Sequence, residues 1–232
     1  MLVVVAGLTS EARLAKRAGQ RTIIGGGDAI SLAANIDRAI VEGATALLSF
    51  GIAGGLRPRV AAGTLLVADR VVDGDQQIAT DADWSRRLRT ALPSAISGSI
   101  AGVDKPAATV ADKRALHATS GAAAVDMESH IVARAAVKTG LPFAVLRAIA
   151  DPADRSVPRA AIAGMRRDGS VDVVAVLRAL ARNPAELPTL LFIAVDSAKA
   201  FATLRKAALF TSPAGGSRRE AADEGLSFRS SH

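Results

Sequence analysis

Short runs of apolar residues alternate with longer segments in which apolar positions recur every three or four residues, from residue 1 to about residue 150. The runs are continuously apolar, which is typical of strands that helices cover on both faces of a sheet. Strands are predicted at 2–6, 22–24, 46–50, 64–72, 97–103, 122–125 and 143–149. Helices are predicted at 10–17, 28–42, 84–92, 111–118, 126–139, 170–181 and 190–209. This alternation predicts an α/β protein.

The predicted elements form one domain, because no linker-like segment divides them. The domain is expected to cover residues 1–210. Residues 211–232 are rich in Gly, Ser, Arg and Glu and have no periodicity, so they are expected to form a disordered tail.

Composition and charge exclude several classes of protein. The 232 residues include no Cys, which excludes a disulfide scaffold, cysteine catalysis and thiolate metal sites. His117, His130 and His232 have no ligand spacing, so no metal is expected. Aromatic residues make up only 3% of the chain and no DNA-binding motif is visible, so nucleic acid is not an expected partner. The net charge of +7 suggests another anionic partner or a general bias towards Arg.

No uninterrupted apolar run reaches the ~18 residues that a membrane span needs. The first residues, Met-Leu-Val-Val-Val-Ala-Gly, have neither a charged leader nor an apolar stretch of signal-peptide length. We therefore expect a cytoplasmic protein.

Two glycine-containing segments follow predicted strands near the start of the chain. Gly7 joins the first strand to the helix that contains Glu11, and open α/β sheets bind ligands at such strand ends. The Glu11 carboxylate either caps this helix or orients an attacking water. Gly25, Gly26 and Gly27 open the next helix, where backbone N–H groups can bind an anion, although a tight turn explains them equally well.

Two further segments suit a nucleoside. Residues 49–56 read Ser-Phe-Gly-Ile-Ala-Gly-Gly-Leu, so nothing bulky separates the backbone from a flat base; close strand packing is the alternative. Asp126, Met127 and Glu128 lie at a predicted strand-to-helix junction. If Asp126 caps the helix, Glu128 is free to bind paired ribose hydroxyls, and Met127 offers an adaptable apolar surface to the sugar.

The most hydrophobic strand of the second half ends at Asp151. A carboxyl group beside such a strand is expected to be desolvated, which raises its pKa. A protonated Asp151 can donate to a purine ring nitrogen as a general acid. The alternative is a turn-forming Asp before Pro152.

Together these segments resemble the purine and uridine phosphorylase superfamily, over residues 1 to about 165. The motifs at 50–56, 125–129 and 147–151 occur in that family's order and spacing, and the most similar branch contains the nucleosidases that cleave methylthioadenosine and adenosylhomocysteine. The loop at 49–56, Asp-Lys-Pro-Ala at 104–107 and Val-Asp-Met-Glu-Ser-His at 125–130 look most like the hopanoid-associated phosphorylases. That subfamily is linked to removal of adenine from adenosylhopane.

The resemblance implies a single-domain, three-layer αβα nucleoside phosphorylase-like fold, with a mixed central sheet flanked by helices. It also implies a homo-oligomer, with a dimer as the first expectation. Asp151 then protonates the purine at N7, Glu11 orients the nucleophilic water, and Glu128 holds the ribose hydroxyls. This division agrees with glycoside hydrolysis in general, where one carboxyl protonates the leaving group and another serves the nucleophile. The implied substrate-binding residues are Glu128, Met127, Asp126, Ala53, Gly54 and Gly7.

Four positions depart from the family pattern. Ala150 replaces a Ser that helps to hold the catalytic Asp in nucleosidases, and Lys105 lies near the position of the aromatic residue that stacks on adenine. Ser49 and Ile52 replace the Arg and Ser that bind phosphate in phosphorylases, and phosphate needs such donors. Hydrolysis is therefore favoured over phosphorolysis. Phosphate stays open as a co-substrate, and no other cofactor is expected.

The helix predicted at 190–209 combines three large apolar residues with three cationic ones: Phe192, Phe201 and Leu204, with Lys199, Arg205 and Lys206. Such a helix can lie on an anionic membrane and bring the site to a lipid-linked nucleoside at the inner face; a core or dimer helix is the alternative. Two other functions stay open. One is cleavage of a soluble nucleoside such as methylthioadenosine, and the other is nucleoside binding without catalysis.

Overall fold

A computed structural model describes residues 1–17, 20–164, 166 and 168–211 of the chain. Of the predicted tail, 211–232, only Thr211 falls within these ranges; it is buried, and its hydroxyl donates to the carbonyl oxygen of Ala208. The rest of the predicted tail lies outside the described residues, and its disorder stays a prediction.

The described residues form one sheet and the helices around it. Its strands are β1 (Leu2–Ala6), β2 (Arg21–Ile24), β3 (Ala46–Gly55), β4 (Leu65–Asp73), β5 (Gln76–Ala79), β6 (Ile96–Gly102), β7 (Ala124–Asp126) and β8 (Phe143–Asp151). The α-helices are α1 (Thr9–Arg17), α2 (Ala29–Val41), α3 (Ala82–Ala91), α4 (Val110–Ser120), α5 (Ser129–Thr139), α6 (Arg159–Ala163), α7 (Val173–Arg182) and α8 (Leu187–Ala207). A 3-10 turn at Pro184–Glu186 connects α7 to α8.

The sheet is mixed, as the resemblance implies. Its main strand order is β2-β1-β3-β7-β6-β4-β5, and β8 pairs in parallel with β3 and antiparallel with β4. The pairing of β3, β8, β4, β6 and β7 therefore forms a closed circuit. This circuit brings the ends of β3, β7 and β8 together, and these are the segments that carry the predicted chemistry.

Helices cover both sides of the sheet, which confirms the three-layer αβα fold. On one side, Leu32 and Ile36 of α2 and Val132 of α5 pack on the strands. On the other side, Trp84 of α3 and Leu204 of α8 do so. Because helices bury the strands from both sides, the strand sequences are continuously apolar rather than alternating.

Two elements differ from the sequence-based expectation near the site. β3 continues through the glycine-rich segment to Gly55, because its backbone pairs with β8 and, at Gly54, with β7. The helix expected from Asp126 begins at Ser129. Asp126 instead ends β7, and its Oδ1 accepts a hydrogen bond from the N–H of Ser129. The short β5 and α6 have no clear signal in the sequence pattern.

The segment Pro184–Phe210, which includes α8, is long and apolar enough to cross a membrane by length and composition alone, with mean hydropathy 1.4. This finding is weak evidence for a membrane span, because Asp196 and Lys199 keep every uninterrupted apolar run in the segment shorter than the ~18 residues that a span needs. Ala200 and Leu204 are fully buried against the sheet. The second half of α8 is therefore a core helix.

Candidate active site

A cavity of about 280 Å³ lies where β1, β3, β7 and β8 end. This is the position at which open α/β sheets bind ligands. All eight residues that the sequence assigns to catalysis or substrate binding line it: Gly7, Glu11, Ala53, Gly54, Asp126, Met127, Glu128 and Asp151. Chain folding therefore brings segments that are far apart in sequence to one site.

Glu11 lies in the first turn of α1 and is almost completely buried. Its carboxylate accepts hydrogen bonds from the N–H of Leu8 at 2.8 Å and from the N–H of Ile52, on β3, at 2.7 Å. It thus helps to cap the helix and also bridges to the glycine-rich strand. Burial raises the pKa of Glu11, although the charge of Arg147 and the backbone hydrogen bonds oppose this rise.

Glu128 follows β7 and faces the same cavity. A Cβ on Gly7 would lie only 2.7 Å from its Oε1, so a larger residue at position 7 would displace this carboxylate from the end of β1. Burial, followed by the negative charges of Asp126 and Glu11, raises the pKa of Glu128 to about 7, against the opposing charge of Arg147. Glu128 is therefore partly protonated near neutral pH.

Arg147 is the cation that compensates this buried acidic cluster, and the sequence analysis does not assign it a role. It lies in the middle of β8 and is 1% exposed. Its Nη2 lies 2.6 Å from Asp126 Oδ2 and 3.2 Å from Glu128 Oε2. The available signal was an Arg within an otherwise apolar buried strand, because a buried charge needs partners.

Two further groups, the Ser49 hydroxyl and the Ile52 carbonyl, also hold Arg147 in place. Its Nη2 donates to the Ser49 hydroxyl at 2.6 Å, and its Nη1 donates to the Ile52 carbonyl oxygen at 3.3 Å. The Ser129 hydroxyl donates to Asp126. Since Asp126 accepts from Arg147 and from Ser129, most of its hydrogen-bonding capacity is used within the protein.

Asp151 ends β8 on another wall of the cavity. A Cβ on Gly54 would lie 3.1 Å from its Oδ2, so the glycine-rich strand also gives this carboxyl room. Burial raises the pKa of Asp151, as the sequence predicts. The charge of Lys113, whose Nζ lies 2.5 Å from Oδ2, opposes this rise. Lys113 had no distinguishing signal in the sequence.

Gly26 and Gly27 border the cavity, but the arrangement of Gly25–Gly27 disfavours the predicted anion site. The N–H groups of Gly25 and Gly26 donate to the carbonyl oxygens of Ala6 and Gly7. The carboxylate of Asp28 caps α2 at the same place, and its negative charge would repel an anion.

The rest of the cavity wall is largely apolar. Lys105 is exposed, while its neighbours Pro106 and Ala107 line the cavity. Among the cavity-lining residues that the structure describes, none is aromatic. On the side of α6 and α8, the apolar part of the wall is formed by Val157, Ala161, Ile162, Val171 and Ile193. Ser197 and Arg166, which is paired with Asp172, also line the cavity. Within the described ranges, no group of three or more His, Asp or Glu residues is placed to hold a metal ion.

A family model described as the phosphorylase superfamily matches residues 20–187. A 5'-methylthioadenosine/S-adenosylhomocysteine nucleosidase from Helicobacter pylori is 18% identical, with a TM-score of 0.62 over 89% of this chain and 96% of that one. No curated protein matches this sequence.

Two further solved structures are similar. The S-adenosylhomocysteine nucleosidase of Streptococcus pyogenes is 18% identical, with a TM-score of 0.63 over 90% of this chain and 95% of that one. The futalosine hydrolase of Helicobacter pylori is 17% identical, with a TM-score of 0.62 over 90% and 96%. At such identities the similarity establishes the fold.

Proposed function

Because this chain belongs to the phosphorylase superfamily, we propose that it hydrolyses the N-glycosidic bond of an adenine nucleoside. The observation that carries the proposal is the placement of three carboxyl groups, those of Glu11, Glu128 and Asp151, around one cavity. Two of them belong to a cluster that shares the single cation Arg147. The third, Asp151, has its own cation in Lys113.

The proposed reaction assigns a separate task to each carboxyl group. Asp151 donates a proton to N7 of the purine while the bond between C1' of the ribose and N9 breaks. Glu128 accepts hydrogen bonds from the ribose hydroxyls. Glu11 takes a proton from the water whose oxygen bonds to C1', and its raised pKa makes it a stronger base than an exposed glutamate.

The charges of the cluster suit this bond cleavage. Breaking the glycosidic bond leaves an oxocarbenium-like sugar, which is positively charged. Glu11, Asp126 and Glu128 surround a single Arg147, so the cluster is negative overall when they are ionised. Negative groups that are already in place stabilise a developing cation without reorganisation.

Water is favoured over phosphate as the nucleophile. The same negative cluster would repel a phosphate dianion, and Nη1 and Nη2 of Arg147 already donate to protein oxygens. Arg57, which lies just after β3, donates to the carbonyl oxygen of Ser97. The proposed reaction needs water and no cofactor.

We propose that the substrate carries a large apolar group at the 5' position, as adenosylhopane does. The support is the apolar wall formed by Val157, Ile162 and Ile193. Val171, which also lines the cavity, is 60% exposed, and both α7 and α8 carry further exposed apolar residues. We define four of these residues as the α7–α8 face: Val173, Leu177, Leu191 and Val195.

The α7–α8 face is proposed to contact an anionic bilayer. Arg178 and Arg182 of α7 are exposed among these apolar residues, and the chain has a net charge of +7. Apolar residues flanked by cations are typical of helices that lie on anionic membranes. The protein would then be cytoplasmic and peripheral at the inner face. We also propose a homo-oligomer, first a dimer, in which a second copy can supply the stacking group for the base.

The test is release of adenine from adenosylhopane in detergent, with and without phosphate, beside methylthioadenosine. Release from adenosylhopane without phosphate is the expected result. Release only with phosphate would replace hydrolysis by phosphorolysis. Release from methylthioadenosine alone would indicate a soluble nucleoside, and binding of both compounds without release would indicate a non-catalytic protein.

A further inference from the structure

We propose that Lys113 is a positioning residue for Asp151: its ammonium group holds the carboxyl and the chain that follows it in one geometry, and stabilises the carboxylate that proton donation leaves behind. This inference rests on the proposed function, in which Asp151 is the general acid. It is carried by the contacts of Lys113, which lies in α4, outside the motifs that predict the site.

Lys113 is fully buried, and its Nζ is surrounded by four oxygen atoms. It donates to the carbonyl oxygens of Asp151 at 3.1 Å, Pro152 at 2.9 Å and Arg155 at 2.7 Å. The fourth oxygen is Asp151 Oδ2, at 2.5 Å. One cation thus binds both the side chain of Asp151 and the backbone around it.

This arrangement keeps the buried cation satisfied in both protonation states of Asp151. An ammonium group has three N–H donors, and the three carbonyl oxygens can accept all of them when the carboxyl is neutral. The three carbonyl oxygens therefore provide acceptors for the ammonium group whether Asp151 is a carboxylic acid or a carboxylate.

The cation assists the proton transfer by stabilising the buried carboxylate that the transfer produces. In the proposed step the proton moves from Asp151 to N7 of the purine, and a carboxylate remains in a buried place. Lys113 stabilises that carboxylate through its contact with Asp151 Oδ2. Because Lys113 contacts Oδ2, Oδ1 is left to carry the proton towards the base. Among the described residues, Lys113 is the side chain that bonds this carboxyl.

Two charged groups act on Asp151 from the elements packed around it. Lys113, from α4, lowers its pKa, and Asp196, from α8, raises it. The charge of Asp196 is itself balanced by Arg155 and by Lys199, whose Nζ lies 3.1 Å from Asp196 Oδ1. Removing the charge of Lys113 therefore leaves burial and Asp196, which both raise the pKa of Asp151.

The direction of the pH effect follows from the role of a general acid. Asp151 acts in its protonated form, so activity is lost as the pH rises through its pKa. Without the charge of Lys113 this pKa is higher, and the basic limb of the activity profile moves to higher pH. A lysine that only supports the fold would lower the amount of active protein without moving that limb.

The experiment compares Lys113→Met, which removes the cation and its hydrogen bonds, with Lys113→Gln, which removes the charge and keeps an N–H donor. Lys138→Met is the matched control, because Lys138 is an exposed lysine paired with Asp37 at 3.4 Å. For each variant, adenine release is measured as kcat and KM across pH. The pKa of Asp151 is measured separately, by NMR on protein with ¹³C-labelled aspartate carboxyls.

For Lys113→Met we expect kcat to fall by about tenfold or more, part of the ~10²–10⁴ that a general acid supplies, with little change in KM. The basic limb and the Asp151 pKa should both move to higher pH. Lys113→Gln should show the pH shift with a smaller loss of kcat, and Lys138→Met neither. In an Asp151→Asn background, Lys113→Met should have little further effect on kcat.

An unchanged Asp151 pKa and an unchanged limb in both Lys113 variants would overturn the inference. So would a full additional loss of kcat in the Asp151→Asn background. If Lys113→Met does not fold, Lys113→Gln carries the same comparison. If the unaltered protein releases no adenine, the proposed function fails, while the NMR titration still decides whether Lys113 controls the Asp151 carboxyl.

Discussion

Gly51 and Glu11 are so close that a Cβ on Gly51 would lie 2.6 Å from Cδ of the Glu11 side chain. The same Cβ would lie 2.7 Å from Nη1 of Arg147. The absence of a side chain at position 51 therefore allows the carboxylate of Glu11, from α1, and the guanidinium of Arg147, from β8, to meet against the backbone of β3. This close approach is specific enough to be tested.

Gly51→Ala is expected to displace Glu11 and Arg147 and to lower the rate of adenine release strongly, since a misplacement of about 1 Å can cost about 10²-fold. Gly74→Ala is the control. A Cβ there has nothing within 4 Å, but its φ of +58° disfavours a side chain, so it should lose some stability and keep its activity. Thermal unfolding and kcat are measured together. Equal activity of the two variants would contradict the role of the close approach.

Glu11→Gln should lower hydrolysis by about 10²–10⁴, because an amide cannot accept the proton of the attacking water. Glu11 acts in its ionised form, and burial raises its pKa. As the pH is lowered, the activity of the unaltered protein should therefore fall at a pH above the usual pKa of a glutamate side chain. Calorimetry should still detect nucleoside binding. Phosphate-dependent release, if it occurs, should survive this change.

Asp151→Asn should lower adenine release by about 10²–10⁴, the usual contribution of a general acid. Asp154→Asn, three positions along the chain and exposed, is the control and should retain full activity. A substrate analogue whose leaving group needs no protonation separates the loss of proton donation from a general disturbance of the site. Asp151→Asn should act on that analogue almost normally, and an equal loss on both substrates would argue against proton donation.

Glu128→Gln should change the pH dependence of stability as well as substrate binding. The pKa of Glu128 is about 7 in the folded protein and near the model-peptide value of ~4.3 when unfolded, so its contribution to stability is present at low pH and is lost as the pH rises towards 7. The variant should therefore lose less stability between pH ~5 and ~8 than the unaltered protein. Thermal unfolding checks this, with Asp75→Asn as an exposed control. KM for nucleosides should rise, because a ribose contact is weakened.

The combined change Leu177→Gln and Leu191→Gln should abolish binding to vesicles that contain phosphatidylglycerol, because it removes apolar surface from the α7–α8 face. Release of adenine from methylthioadenosine should stay unchanged. Val41→Gln, on α2 at the other side of the sheet, alters a residue that is 88% exposed and serves as the control. Flotation at low salt measures binding. If the unaltered protein does not float, the membrane proposal is wrong. If the change converts a dimer to a monomer in light scattering, the face binds a second copy instead.

The sequence predicted the elements near the site well where local patterns carry the information. The strand at Leu2–Ala6 ends where predicted, and the helix after Gly27 extends over Ala29–Val41, close to its expected range. Apolar runs, helical periodicity and glycines act through neighbouring residues, so they are visible without the fold. The same local signals located Glu11, Glu128 and Asp151 at strand ends.

Long-range pairing was not visible in the same way. The glycine-rich segment after Phe50 gives a weak strand signal, yet it is a strand because β8 and β7 supply its hydrogen-bonding partners. Gly25 and Gly26 suggested an anion site, but the carbonyl groups of Ala6 and Gly7 use their N–H groups. In both cases a partner distant in sequence decided what the glycine backbone does.

By itself, the sequence determined the α/β class, the approximate positions of most strands and the residue types that could do the chemistry, because each depends on a short stretch of chain. Only the tertiary structure decided which charges meet. Arg147 reaches Ser49, 98 positions away, and the acids around it; Lys113 reaches Asp151, 38 positions away. Buried charges are stable only with their partners, and which residues become partners depends on how the whole sheet closes.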